Sequence, residues 1–345
     1  MSETKQDEWV TDTLGIDPST YAGGSPGRGD APGGPKPGKG LLSAFADAVK
    51  SAVSTPKDEP APLLGAAQQK RSEGKLAKLA APDQEKYKAM LAQAKTQNEK
   101  DYLAKGLASG HSVAELATFQ AKISGKSEKW LQDNLALTGN SSGKGVKQQW
   151  AMSCNATTAQ AVKGQLDPLY ALKLHEDNKD VNAADGDDPT KKNKALANEQ
   201  KAMLEKADPD GSAGGLALPR DHDDQHQGRW NTDLLNDMKD VTGVSYANKK
   251  IGVDTTLDDG IKEIDTHLDK GTPVPIVIGN KVDEYTHYVL VTKCTQKPPK
   301  VYTIHDPWSG KTYKRTAEQL SKGKLDIAGS NQVSAIEMPT EEAVK

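Results

Sequence analysis

Cys154, His287 and Asp306 are the residues of this chain whose types and order suit covalent chemistry. A thiol acts as a nucleophile once ionised, and a helix N-terminus and a neighbouring imidazole both favour the thiolate. The stretch AMSCNATTAQAVKGQ, at 151–165, predicts a helix that begins near Cys154. Its small residues allow close packing behind a catalytic loop. Gln148 stands six residues upstream of Cys154. An amide placed there could fold back beside the thiol and help the Cys154 N–H hold a developing oxyanion. Gln149 is the weaker candidate for that role. His287 opens the apolar run that ends at Cys294, and Asp306 closes the run VYTIHD at 301–306. Adjacent antiparallel strands can set these two side chains together, with Asp306 fixing the imidazole tautomer. Pro307 ends the strand by removing a donor, and Trp308 stands where it could shield the pair from water. The chemistry implied is attack of a thiolate on an acyl carbon, with His287 as base.

Each residue also has a plain structural reading. A lone cysteine is ordinarily a small core residue. A strand-end histidine commonly bonds a backbone carbonyl, and Asp before Pro is common in turns. None of these readings accounts for the shared order of the residues. Cys294 lies seven residues after His287. In a regular strand it would therefore point to the opposite face, as a structural residue. Two cysteines in 345 residues make no disulfide framework. The cluster of His222, Asp223, Asp224 and His226 lacks an HExxH pattern, and Asp208 and Asp210 before Gly211 lack the later ligands of a calcium loop. Both are read as solvated polar loops, so the expectation is no metal and no cofactor. Gly33, Gly38 and Lys39 begin a phosphate-loop match, but Gly40 stands where Ser or Thr is needed and no strand precedes it.

The elements that must position these residues follow an α+β order. Residues 1–60 are expected to be a disordered, Gly/Pro-rich leader, with a short amphipathic helix over 41–53 carrying Leu41, Phe45, Val49 and Val53. Residues 61–140 read as an all-helical module. Leu76, Leu79, Tyr87, Met90 and Leu91 recur at helical spacing, Ser112 and Glu115 make a capping box, and Ser127 opens a helix bearing Trp130, Leu131 and Leu135. Residues 141–345 form the third region. It has the helix at Cys154, another after Pro168, and a polar stretch at 176–227 read as an insertion over the cleft. That stretch holds at most one helix, around Lys192–Lys206. Helices near 230–241 and 256–269 come next, and then strands over 273–279, 286–294, 301–306 and 331–338.

Composition excludes some classes. Side chains number 45 basic and 48 acidic, for a net charge of −3, which leaves no footprint for nucleic acid or an anionic membrane. No apolar run approaches a bilayer span, and the polar N-terminus lacks the apolar segment of a secretory signal. The expectation is synthesis in the cytoplasm, with any export left to a specialised secretion machinery.

With Gln148 preceding Cys154, a strand at His287-Tyr288-Val289, and Asp306-Pro307-Trp308, the region 146–340 resembles the papain-like cysteine peptidases. It is nearest to the bacteriocin-leader-processing type and to related bacterial effector proteases. The resemblance implies a papain-like fold, a helical subdomain carrying the cysteine packed on an antiparallel sheet carrying His and Asp. It also implies Gln148 as oxyanion donor, Cys154 as nucleophile, His287 as base and Asp306 as orienter. Asn155 departs from the glycine that many members carry after the cysteine. The chain has no ATP-binding cassette, so it is not a complete leader-processing exporter. The function implied is a cysteine protease acting on protein or peptide. The leader, helical module and terminal hydrolase resemble a secreted effector or toxin, whose cleft an immunity or inhibitor protein would cover. A transglutaminase or glutamine deamidase would use the same triad, a cell-wall amidase is a variant of the protease, and an inactive binding scaffold is the rival outside enzymes.

Overall fold

The computed structural model describes residues 63–149, 153–177, 194–207, 234–281, 287–295 and 298–340. The expected leader and its helix at 41–53, the DHDDQH cluster, and Asp208 and Asp210 lie outside the described residues, as does most of the polar stretch at 176–227.

The architecture is α+β, built on a six-stranded antiparallel sheet. Five helices come first: α1 (Ala66–Lys78), α2 (Ala81–Gln93), α3 (Gln97–Ala108), α4 (Val113–Ile123) and α5 (Glu128–Leu135). Their starts are chemically marked. Thr96 and Ser127 accept from backbone N–H groups three residues on, and Ser112 and Glu115 form the reciprocal capping box. Tyr87, Met90, Leu103, Leu107, Leu116, Phe119, Ile123, Leu131 and Leu135 bury a common core.

Two further helices, α6 (Cys154–Leu166) and α7 (Pro168–Asp177), come next, then α8 (Lys194–Ala207) and α9 (Lys239–Thr242). Leu169 and Leu172 of α7 join the core of the first five helices, so the helical module shares a core with the region that carries the cysteine. The two regions also meet at the C-terminal end of α6. The Leu166 carbonyl, orphaned by the helix end, accepts from Gln68 Nε2 at 3.0 Å and Ser109 Oγ at 3.1 Å. Asp167 accepts from His111 Nε2 at 2.9 Å and from the N–H groups of Leu169 and Tyr170 at the start of α7.

The sheet comprises β1 (Ser245–Lys250), β2 (Val274–Gly279), β3 (His287–Cys294), β4 (Val301–His305), β5 (Thr312–Thr316) and β6 (Gln332–Thr340), in the order β1-β6-β2-β3-β4-β5. Helices α10 (Leu257–Asp269) and α11 (Ala317–Ser321) connect strands. One face buries Ile276, Val289, Val291, Ile304 and Ile336 against Ile261, Ile264 and Leu268 of α10 and Leu320 of α11. The other face meets α6, with Leu290 among Ala156, Ala159 and Val162, and Val277, Tyr288 and Ala335 beside Cys154. The interior strand β2 is buried along its whole length, which is why VPIVIG carries no polar alternation. The two edge strands, β1 and β5, are mostly half-buried.

Cys294 departs from the alternation expected of it. The β3–β4 register shifts between Val291 and Lys293, and Cys294 consequently packs in the same core as Val289 and Val291. It is a buried free thiol, and burial pushes its pKa up to about 11.

Candidate active site

Cys154 is the first residue of α6. The helix starts there because Ser153 supplies a carbonyl that accepts from both the N–H and the hydroxyl of Thr157, at 2.8 Å and 2.7 Å. The segment after the cysteine is nearly all small and buried, including Ala156, Thr157, Thr158, Ala159 and Ala161. That lets the helix lie close against β3 and sets its N-terminus at the start of that strand.

Antiparallel pairing brings the beginning of β3 to the end of β4, where Leu290 pairs with His305. His287 and Asp306 therefore fall at the same end of the sheet. Nε2 of His287 lies 2.7 Å from Oδ1 of Asp306, and both residues are buried. His287 also hydrogen-bonds Cys154. With Nε2 facing the carboxylate, Nδ1 is the nitrogen left for the thiol. The three side chains singled out in the sequence thus form one hydrogen-bonded series, thiol to imidazole to carboxylate.

The charges result from these contacts. Burial alone would push the Cys154 thiol up. The hydrogen bond and positive charge of His287, with the backbone N–H groups of Tyr288 and Asn155 on the sulfur, outweigh it and hold the pKa below the ordinary thiol value. Burial alone would lower His287, but Asp306 and Cys154 raise it to about 10. Asp306 is opposed by its own burial yet held at about 2 by His287, the Ser309 hydroxyl and the Trp308 N–H. These shifts all favour the charged pair, a thiolate beside an imidazolium, braced by a carboxylate.

Asp306 is held by a turn that residue type and order only partly reveal. Its Oδ1 accepts from the N–H of Trp308 at 2.9 Å, and its Oδ2 from the hydroxyl of Ser309 at 2.6 Å. Ser309 is a contact of Asp306 that residue type and order did not single out, and Ser within a few residues of an Asp-Pro turn is the signal that could have found it. Trp308 is half-buried and touches Asp306 through its backbone.

Gln148 is buried, and its N–H donates to the Pro307 carbonyl at 2.8 Å. Gly145 N–H similarly donates to the Gly310 carbonyl at 2.7 Å. The segment leading to Gln148 thus lies along the turn that carries Asp306. Gln149 is fully buried, and its side-chain amide donates to the Lys147 carbonyl at 2.8 Å, so this amide folds back on its own segment. Asn155 is buried; its side-chain oxygen accepts from Ala156 N–H, while its own N–H meets the sulfur.

His305, beside Asp306, is wholly buried behind Gly145, and burial lowers its pKa to about 4, so it is neutral. Among the described residues no group of three or more His, Cys, Asp or Glu could hold a metal ion, and no helix is long and apolar enough to cross a membrane.

No protein-family model matches this chain and no curated protein matches it.

Proposed function

We propose that the chain is a papain-like thiol hydrolase that cleaves peptide bonds, with Cys154 as nucleophile, His287 as acid and base, Asp306 as orienter and Gln148 as oxyanion donor. The observation that carries the reading is the series from Cys154 through His287 to Asp306, closed by the 2.7 Å contact between the last two. A cysteine at the start of a helix facing a strand-borne histidine also fits the papain-like arrangement.

In this reading the Cys154 thiolate attacks an amide carbonyl carbon, and the carbonyl electron pair moves to oxygen. The Gln148 amide and the Cys154 N–H stabilise that oxyanion. Collapse breaks the C–N bond, and His287 gives its proton to the departing amine. Water then attacks the thioester carbonyl and loses a proton to His287. The acid departs, leaving the thiolate and the protonated imidazole. Asp306 keeps the ring oriented and stabilises its charge throughout.

The test is incubation of the full chain with a denatured protein mixture, followed by mass spectrometry of the products. The proposal expects new peptide termini with the parent and none with Cys154→Ala. An intact backbone carrying deamidated or cross-linked glutamine would replace the peptidase with a deamidase or transglutaminase on the same residues. Cleavage that persists in Cys154→Ala would exclude the mechanism.

A further inference from the structure

The polar stretch between α7 and α9 reads in sequence as an insertion over the cleft, yet its helix α8 sends a side chain into the segment that joins Gln148 to Cys154. Gln200, in α8, is wholly buried. Its Oε1 accepts from the N–H of Gln149 at 2.8 Å and from the hydroxyl of Ser153 at 2.8 Å. One atom thus ties together the residue after the oxyanion donor and the residue before the nucleophile.

The orientation of that amide is itself fixed. Gln200 Nε2 donates to Gln160 Oε1 at 3.0 Å, and Gln160 Nε2 donates to Glu199 Oε2 at 3.0 Å. Glu199 also accepts from the Tyr170 hydroxyl at 2.7 Å, and Lys163 Nζ lies 3.8 Å from its other oxygen. Glu199 Oε2 accepts from Gln160 Nε2, which turns the Gln160 oxygen toward Gln200, and Gln160 in turn sets the direction of Gln200. The oxygen of Gln200 is thereby aimed at the two donors of the loop. Both Gln160 and the nucleophile belong to α6, so the relay is anchored in the helix it helps to register.

We propose that Gln200 is a positioning residue of the active site: it clamps the two ends of the 149–153 segment and so sets Gln148 relative to Cys154 for oxyanion stabilisation. This rests on the hydrolase reading. The clamp acts on the oxyanion side of the site and touches neither His287 nor Asp306. Its loss should therefore impair acyl transfer, which needs the oxyanion donors, more than simple alkylation, which needs only the thiolate.

The experiment compares two probes on the full-length parent, Gln200→Met and Ser153→Ala. Acetylation of Cys154 by p-nitrophenyl acetate reports acyl transfer, and alkylation by iodoacetamide reports the thiolate. Gln200→Met should slow acetylation by about ten- to a hundredfold and leave alkylation within about threefold of the parent. Ser153→Ala, which removes a single hydroxyl and leaves the Gln149 contact, should show the same split at roughly a tenth of that size. Acetylation unchanged in Gln200→Met, or acetylation and alkylation falling together in both variants, would overturn the clamp. A parent not acetylated at Cys154 would overturn the hydrolase reading, and the clamp with it. A reactive parent with no split overturns the clamp alone.

Discussion

The backbone N–H of Gln148 donates to the carbonyl of Pro307 at 2.8 Å. Residues 159 positions apart in the chain thus join the segment that leads to the thiol with the turn that carries the Asp306 carboxylate. Through that bond, displacement of either side reaches the other.

Gly145 lies at the base of this joint. A β-carbon there would come within 2.6 Å of the Leu137 carbonyl oxygen and 2.5 Å of His305 Cε1, contacts that require the backbone to move. Gly145→Ala should therefore shift Gln148 and lower the rate of acyl transfer by about tenfold or more. The fold should persist with some loss of stability, because the clash falls on the His305 ring at the end of β4 while the pairing of β3 with β4 from Val291 to Cys294 lies away from it. Acetylation kinetics alongside a thermal melt would show the two effects separately.

The pH profile is set by the charges at the site. Acyl transfer requires Cys154 ionised and His287 protonated, so its rate should climb as pH rises through the lowered thiol value. It should fall as pH rises through about 10, where His287 loses its proton. Asp306→Asn removes the negative partner that raises His287. The falling limb should then move to lower pH, and the maximal rate should drop by about a hundredfold or more. A bell-shaped profile of acetylation rate, measured for both proteins, checks limb and amplitude together.

The contact between His111 and Asp167 couples the helical module to the C-terminal end of α6. The Asp167 hydrogen bond, opposed by burial and aided by the charges of Asp167 and Glu115, raises the His111 pKa above its ordinary value. A raised folded-state pKa stabilises most at pH below the unfolded value near 6.5, and the gain is lost as pH rises through the folded value. His111→Ala should therefore cost roughly 1–2 kcal/mol in acid-to-neutral buffer, with a smaller difference in alkaline buffer. Denaturant titrations of parent and variant at several pH values would reveal that convergence.

Much of the site was legible because its chemistry resides in residue type and order. A cysteine at a helix start, a histidine opening a strand and an aspartate ending the next one are marks that the linear chain carries. The interior strands were legible too, since VPIVIG is apolar throughout. The edge strands β1 and β5 were not. SYANKK and TYKRT are polar and mostly half-buried, so neither alternation nor continuous apolarity marks them. Ser309 and Gln200 were missed for another reason: each acts through a hydrogen bond whose partner is set by a turn or by packing. Nothing in the string near residue 200 points to residues 149 and 153. Cys294 is the structural residue it was expected to be, buried in the core beneath α10, but the regular alternation assumed for β3 does not hold, because a shift in strand register has no composition signal.

The reactivity of the two thiols, read by iodoacetamide alkylation and site-resolved mass spectrometry at about pH 6, tests the thiolate–imidazolium pair most directly. Cys154 should be modified readily and Cys294 hardly at all, since one thiol is held below its ordinary pKa and the other is pushed up to about 11. In His287→Ala the rate at Cys154 should fall to that of an unassisted thiol. Equal labelling of the two cysteines, or a Cys154 rate indifferent to the loss of His287, would contradict the pairing.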